Sequence, residues 1–201
     1  MFNDRFARRM AARYRKRGLD KTARRMVDLL TDRGVRGATV LEIGGGVGEV
    51  QLELLHRGAA AATSLELSPA YDDEAARLLA EAGLAGRVQR RLVDIAGDPA
   101  AVEDADIVVL HRVVCCYPDF ARLLGAAADH TRRQLVFSHP PRNAASRAVV
   151  ATQNLLLRLA GRDFRTFAHP PAAMLAVLAE HGLHLSGVHR GRLWQVAAVT
   201  R

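Results

Sequence analysis

Thiols are scarce in this chain: its 201 residues include two cysteines, Cys115 and Cys116, and they are adjacent. Neighbouring cysteines cannot clip distant parts of a fold together, and no second ligand pair accompanies them. A disulfide framework is therefore excluded, and His111 nearby adds too little for a metal site. Long apolar runs are also missing. Ile107 to Leu110 and Val196 to Val199 are strand-sized, far short of the roughly 20 residues that cross a bilayer. No apolar run follows Met1-Phe2-Asn3-Asp4-Arg5 to serve as a secretory core, and Asp4, Asp20 and the scarcity of Ser argue against an organelle transit peptide. A cytoplasmic location without a membrane span is the expectation. Repeats, low-complexity linkers and composition breaks are absent as well.

With 49% hydrophobic and 25% charged residues, the chain suits one soluble core. Its net charge of +8 is unevenly placed, since residues 1–25 carry ten Lys or Arg against two acids while the remainder balances at nineteen each. Such a basic arm serves either as a solvated helix face or as a surface for RNA or another anionic partner. We expect residues 1–36 to form a helical arm or cap and residues 37–201 the main unit.

Strand and helix patterns alternate along the chain. Phe2, Phe6 and Met10 recur at helical spacing, and Asp20 N-caps a helix to about Arg33 with Ala23, Met26, Val27 and Leu30 on one face. Strands are expected at Thr39 to Ile43, Thr63 to Leu67, Val88 to Val93, Asp106 to Leu110 and Gln134 to Ser138. Helices are expected at Val47 to Arg57, from an N-cap at Ser68 to Gly83, at Asp119 to Asp129, from Asn143 to Ala160 and at Ala172 to His181. The last two strands, Leu183 to Arg190 and Leu193 to Thr200, are joined so tightly that they must pair antiparallel. The alternation calls for a mostly parallel sheet covered on both faces.

The chemistry concentrates at strand ends. Glu42-x-Gly44-x-Gly46-x-Gly48 ends one strand and opens a helix, letting the backbone approach a ligand where a Cβ would intrude. A pyrophosphate fingerprint would place Gly three residues after Gly46, where Glu49 stands instead. That acid weighs against a dinucleotide oxidoreductase and suits a cofactor bearing positive charge. Glu66, 22 positions past Gly44, ends the second strand, where a carboxylate accepts from ribose hydroxyls. Asp94 ends the third, within reach of an adenine amino group.

Val40 to Val50, Ser64 to Tyr71, Arg91 to Ile95 and Ala105 to Asp119 together resemble the successive motifs of class I S-adenosylmethionine-dependent methyltransferases. The resemblance implies an α/β, Rossmann-like seven-stranded sheet of order 3-2-1-4-5-7-6 with strand 7 antiparallel. It also implies that Glu42, Gly44, Gly45, Gly46 and Gly48 line the methionine part of the cofactor. Glu66 and Leu67 would then meet the ribose, Asp94 and Ile95 the adenine, and His111 the far wall. No Asn-Pro-Pro-Tyr, Pro-Cys nucleophile or acidic magnesium set stands at the fourth-strand exit, His111 to Asp119. Those absences, with the Tyr117-Pro118 ending and the basic helix, favour a small organic acceptor, loosely as in magnesium-protoporphyrin and ubiquinone-type methyltransferases. Arg112, Arg142 or Arg147 could hold a carboxylate on it. His111, then His139, are the candidate bases, and Tyr117 either orients the acceptor or anchors its loop. Tyr14 either closes over the cofactor or packs. RNA methylation or RNA association through the arm is the competing reading.

Overall fold

The computed structural model of the protein describes residues 3–201. Phe2, the first of the apolar triplet in the arm, lies outside them. Among the described residues, seven strands form one sheet in the order β3-β2-β1-β4-β5-β7-β6. They are β1 (Thr39–Ile43), β2 (Ala61–Glu66), β3 (Val88–Leu92), β4 (Ala105–Leu110), β5 (Thr131–His139), β6 (His184–Arg190) and β7 (Gln195–Thr200). β7 pairs antiparallel with both β5 and β6, and the other pairs are parallel. Among the described residues, seven α-helices accompany the sheet: α1 (Asp4–Arg17), α2 (Lys21–Asp32), α3 (Glu49–His56), α4 (Asp72–Glu81), α5 (Phe120–Asp129), α6 (Ala144–Leu159) and α7 (Pro171–Glu180).

The apolar runs Val40–Leu41 of β1 and Ile107–Leu110 of β4 follow from burial on both faces. Val40, Ile107, Val109, Val136 and Val196 point into one core with Met26, Val27 and Leu30 of α2 and Leu52 and Leu55 of α3. Leu41, Val108, Leu110, Leu135 and Phe137 point into the other with Leu123 and Leu124 of α5 and Met174 and Leu178 of α7. The expected inward face of α2 is therefore the observed one. Asp20 caps that helix, its Oδ1 accepting from Thr22 and Ala23 amides at 2.8 and 3.0 Å. In α1, Ala7 and Ala11 are fully buried and bring its backbone close to its neighbours.

Two local expectations need correction. The helix after the glycine turn begins at Glu49 rather than Val47, because Gly48 occupies the left-handed region at φ 84° and redirects the chain. Ser68 makes no side-chain cap; Pro69–Tyr71 form a short 3-10 turn, and α4 starts at Asp72 with three acids in its first turn. Those acids suit the positive end of the helix dipole.

The topology positions the site. β1 leads outward through α3 to β2, whereas β4 leads the other way through α5 to β5, so their crossovers diverge and leave a crevice beyond the strand ends. β7 runs against β5, with Gln195 opposite His139. The β6–β7 turn is consequently carried to this same edge.

Candidate cofactor and acceptor site

Gly44, Gly46 and Gly48 have φ of 65°, 55° and 84°, values that side chains other than glycine rarely adopt. Gly44 donates to the Leu65 carbonyl at 2.8 Å and Gly48 to the Gly45 carbonyl at 2.8 Å, which closes the turn. A Cβ on Gly44 would lie 2.5 Å from Val113 Cγ2, and one on Gly45 would lie 2.8 Å from Ser64 Oγ. The loop thus passes between the β4 exit and the β2 strand with no room for a methyl group. Gly44, Gly45 and Gly46 line the adjoining cavity, whereas Gly48 lies outside that lining, where a Cβ would meet Gln51 Nε2 at 2.4 Å. Gly48 therefore serves the turn rather than the ligand surface.

Four carboxylates line the cavity beside this loop, Glu42, Glu66 and Asp94 from the ends of β1, β2 and β3 and Glu49 from the first residue of α3. Glu42 is buried and accepts from the Gln51 amide at 3.2 Å; burial, reinforced by the Glu49 charge, pushes its carboxyl up to about 8. Glu49 is also raised by burial, although Arg13 of α1 meets it at 3.1 Å. Glu66 accepts from the Gly46, Leu67 and Ser68 amides at 2.9, 2.8 and 3.2 Å. Leu67 is exposed beside it. Asp94 accepts from the Ala96 amide at 3.1 Å and from the Tyr117 hydroxyl at 2.9 Å, with Ile95 buried beneath. Apart from Gly48, every residue expected at the cofactor lines one cavity of about 1120 Å³.

At the β4 exit, His111 Nδ1 is 3.1 Å from Ser138 Oγ, and its Nε2 is 3.8 Å from Asp20 Oδ2. Nε2 is closed off from solvent and has no hydrogen-bond partner. Burial lowers the basicity of the ring. Arg112, at φ 60° the only non-glycine residue with positive φ among those described, pairs with Asp20 at 2.7 Å. Its guanidinium also lies 4.9 Å over the Trp194 ring, a cation–π contact. Asp20 is held well below the usual carboxylate range despite burial, through the His111 contact, the Ala23 amide and Arg112. One residue that caps a helix thereby also ties the arm to the β4 exit.

The lining also includes apolar and aromatic residues, with Phe164 and Phe167 from the loop after α6, Leu193 and Trp194 from the β6–β7 turn, and Val149 and Val150 of α6. Of the three arginines expected to hold a carboxylate, Arg142 and Arg147 are exposed and off the cavity wall, and Arg112 is already engaged by Asp20 and Trp194. Arg9 and Arg192 reach the wall instead, and neither side chain has an ion pair or hydrogen bond among the described residues. His139 is buried, with Nδ1 3.0 Å from the Pro140 carbonyl, and does not line the cavity. Tyr14 packs against the core rather than entering the cavity. Tyr117 anchors its loop on Asp94, and His169 meets the Tyr117 carbonyl at 3.0 Å. Loss of one hydrogen bond to a charged group costs about 1.5–3 kcal/mol when the partner is left unsatisfied. Tyr117→Phe, which leaves Asp94 reachable by solvent, is expected to lower stability by about 0.5–1.5 kcal/mol in denaturant unfolding.

The arm spends part of its charge inside the molecule, since Arg15 meets Glu81 at 2.8 Å and Glu74 at 3.4 Å while Arg13 meets Glu49. Among the described residues no cluster of three metal-ligating side chains exists, and no helix is long and apolar enough to cross a membrane. Sequence patterns gave no sign of the Asp20–Arg112 pairing, nor of Arg9, Arg192, Phe164, Phe167 and Trp194 at the cavity. Their residues are far apart along the chain.

A family model described as a methyltransferase domain matches residues 41–135. No curated protein matches. Among solved structures, magnesium protoporphyrin IX methyltransferase from Synechocystis PCC 6803 with bound SAH is 19% identical, with TM-score 0.72 over 90% of this chain and 82% of that one. An O-methyltransferase family protein from Burkholderia thailandensis is 21% identical, with TM-score 0.73 over 100% of this chain and 63% of that one. An O-methyltransferase family 2 protein from Planctomyces limnophilus, in complex with apigenin, is 18% identical, with TM-score 0.72 over 100% of this chain and 62% of that one.

Proposed function

We propose that this chain, whose residues 41–135 match a methyltransferase-domain model, is a class I adenosylmethionine-dependent methyltransferase that methylates a small organic acceptor with an apolar body and an anionic group. The observation that carries the acceptor reading is a cavity of about 1120 Å³ whose lining combines these carboxylates with aromatic residues and with Arg9 and Arg192. Pockets for one small ligand run to about 1,000 Å³, so this one has room for cofactor and acceptor side by side.

The fit to the cofactor rests on two features. The loop at Gly44 and Gly45 is a cradle that a Cβ would fill, and the four acids around it suit a cationic ligand without phosphate. When bound, adenosylmethionine supplies a methyl group on a positively charged sulfur. On this reading Glu42 and Glu49 provide negative charge near the loop, Glu66 the ribose contact, and Asp94 with Ile95 the adenine contact. Displacement at a methyl carbon is accelerated mainly by alignment and exclusion of water. Residues 1–36 would serve as the cap that does both, through Phe6, Met10 and Arg13. The closed-off Nε2 and the Ser138 contact of Nδ1 support His111 as a wall residue rather than a base. Arg9 and Arg192 would receive the acceptor's anionic group as charge-assisted donors.

Calorimetry with adenosylhomocysteine tests the cofactor reading. Binding is expected for the intact chain, and Glu66→Ala should weaken it about 10- to 100-fold, the worth of hydrogen bonds to a charged group. No binding at millimolar concentration would sink the proposal. Steeply salt-dependent affinity for mixed RNA that disappears on removal of residues 1–17 would favour the RNA reading instead.

A further inference from the structure

Cys115 and Cys116 have no part in the function proposed above, yet both line the cavity. Their Sγ atoms are 3.6 Å apart, and each lies 3.6 Å from the Arg112 carbonyl oxygen. The pair sits on the 3-10 turn Val114–Cys116, which is held at several points. Its Cys115 carbonyl accepts from the Phe167 amide at 2.7 Å, and the next residue, Tyr117, is tied to Asp94. Just before it, Val113 abuts Gly44. Small changes in this turn are therefore transmitted to both ends of the cofactor cradle.

The two thiols are not equivalent. Cys115 is buried, whereas Cys116 is partly open. A hydrogen bond from the Cys115 thiol holds Cys116 below the usual thiol range, and the same contact raises Cys115. A more acidic thiol facing a cavity beside a second thiol is the arrangement of an oxidant-responsive site.

We propose that Cys115 and Cys116 form a modification site at which hydrogen peroxide closes a disulfide between neighbouring residues and thereby weakens cofactor binding. The Cys116 thiolate attacks one peroxide oxygen; the O–O bond breaks, giving Cys116 sulfenic acid and one water once a proton is taken up. Cys115 sulfur then attacks Cys116 sulfur, an S–S bond forms, the S–O bond breaks and a second water leaves. The two thiols lose two electrons and two protons, and peroxide is reduced to two waters. Closure requires the sulfurs to approach from 3.6 Å to about 2.0 Å. Neighbouring Cα atoms stand about 3.8 Å apart, tighter than the roughly 4.4–6.8 Å that unstrained disulfides span. The closed form is consequently strained and readily reduced, which makes the site reversible.

The test is brief peroxide treatment of the intact protein, followed by mass analysis of the unreduced tryptic peptide from Val113 to Arg122 and calorimetry with adenosylhomocysteine. The expected result is a peptide lighter by two hydrogen atoms and an affinity about tenfold or more weaker, both restored by dithiothreitol. Cys116→Ser should show no such closure and the same affinity before and after treatment. Cys115→Ser should stop at a sulfenic acid trapped by dimedone. Thiols left free, bridging between two chains, or closure without loss of affinity would each overturn the proposal. The affinity readout rests on the cofactor reading, but the peptide mass does not. Reduced protein that fails to bind adenosylhomocysteine would therefore count against that reading alone, while the mass would still decide whether the dithiol closes.

Discussion

Glu42→Gln is expected to stabilise the ligand-free protein at pH 8 while weakening its hold on the cofactor. Burial raises the Glu42 carboxyl from 4.5 to about 8, which means the folded state resists its ionisation more than the unfolded chain does. The sign follows from proton linkage. Below about pH 4.5 both states are protonated and the group has no cost. As pH rises through the unfolded value, the unfolded chain gives up its proton first, and stability falls until the folded carboxyl also ionises near 8. One pKa shift of this size corresponds to at most about 5 kcal/mol, and local relaxation leaves about 2–4 kcal/mol as the working figure. Gln keeps an oxygen for the Gln51 amide but has no ionisation to resist. Its melting temperature at pH 8 should exceed the parent's by about 5–10 °C, with the two converging near pH 4.5.

The functional consequence has the opposite sign. A cationic ligand favours the ionised carboxylate, so adenosylmethionine affinity of the parent protein should climb with pH toward 8 as binding releases a proton. In Glu42→Gln that climb should vanish and affinity should be about 10- to 100-fold lower. Melting curves and calorimetry across pH 5–9 measure both. A variant that is less stable than the parent at pH 8, or that binds with an unchanged pH profile, would show that the buried charge is not what this position supplies.

Gly44→Ala is the other large effect. Two separate penalties meet there: φ of 65° disfavours any Cβ, and the Cβ would come within 2.5 Å of Val113 Cγ2. Left-handed backbone costs about 1–2 kcal/mol for alanine, and overpacking against a stiff β-branched neighbour adds about 1–3 kcal/mol. Gly83 supplies the control, since it has φ of 68° and nothing within 4 Å of a built Cβ. Gly83→Ala should lose only the backbone part, about 1–2 kcal/mol, and keep its affinity for adenosylhomocysteine. Gly44→Ala should lose about 2–5 kcal/mol by denaturant unfolding and at least about 100-fold in affinity. Equal losses from the two substitutions would mean that the close approach of Val113 is unimportant.

Much of the fold was legible because local rules act locally. The period of α2, its N-cap at Asp20, and the buried runs of β1 and β4 all depend on residues within a few positions of each other. The glycine spacing and the acids at Glu42, Glu66 and Asp94 were legible for a related reason. Each is placed by its own strand end, and parallel strands deliver their ends to one edge. Where local reading failed, a competing local geometry won, as at Gly48, whose left-handed backbone delays α3.

By itself, then, the sequence determined the order of strands and helices, the cofactor cradle and the sign of charge around it. Tertiary structure decided the rest of the cavity wall. Arg142 and Arg147 stand close to the β5 exit in sequence but face solvent, whereas Arg9 and Arg192, near opposite ends of the chain, reach the cavity wall. The physical reason is the antiparallel insertion of β7, which carries the turn with Arg192 and Trp194 back to the cofactor edge. There Arg112 lies against Trp194 and Asp20, pairings between distant parts of the chain that exist only once sheet and arm have packed.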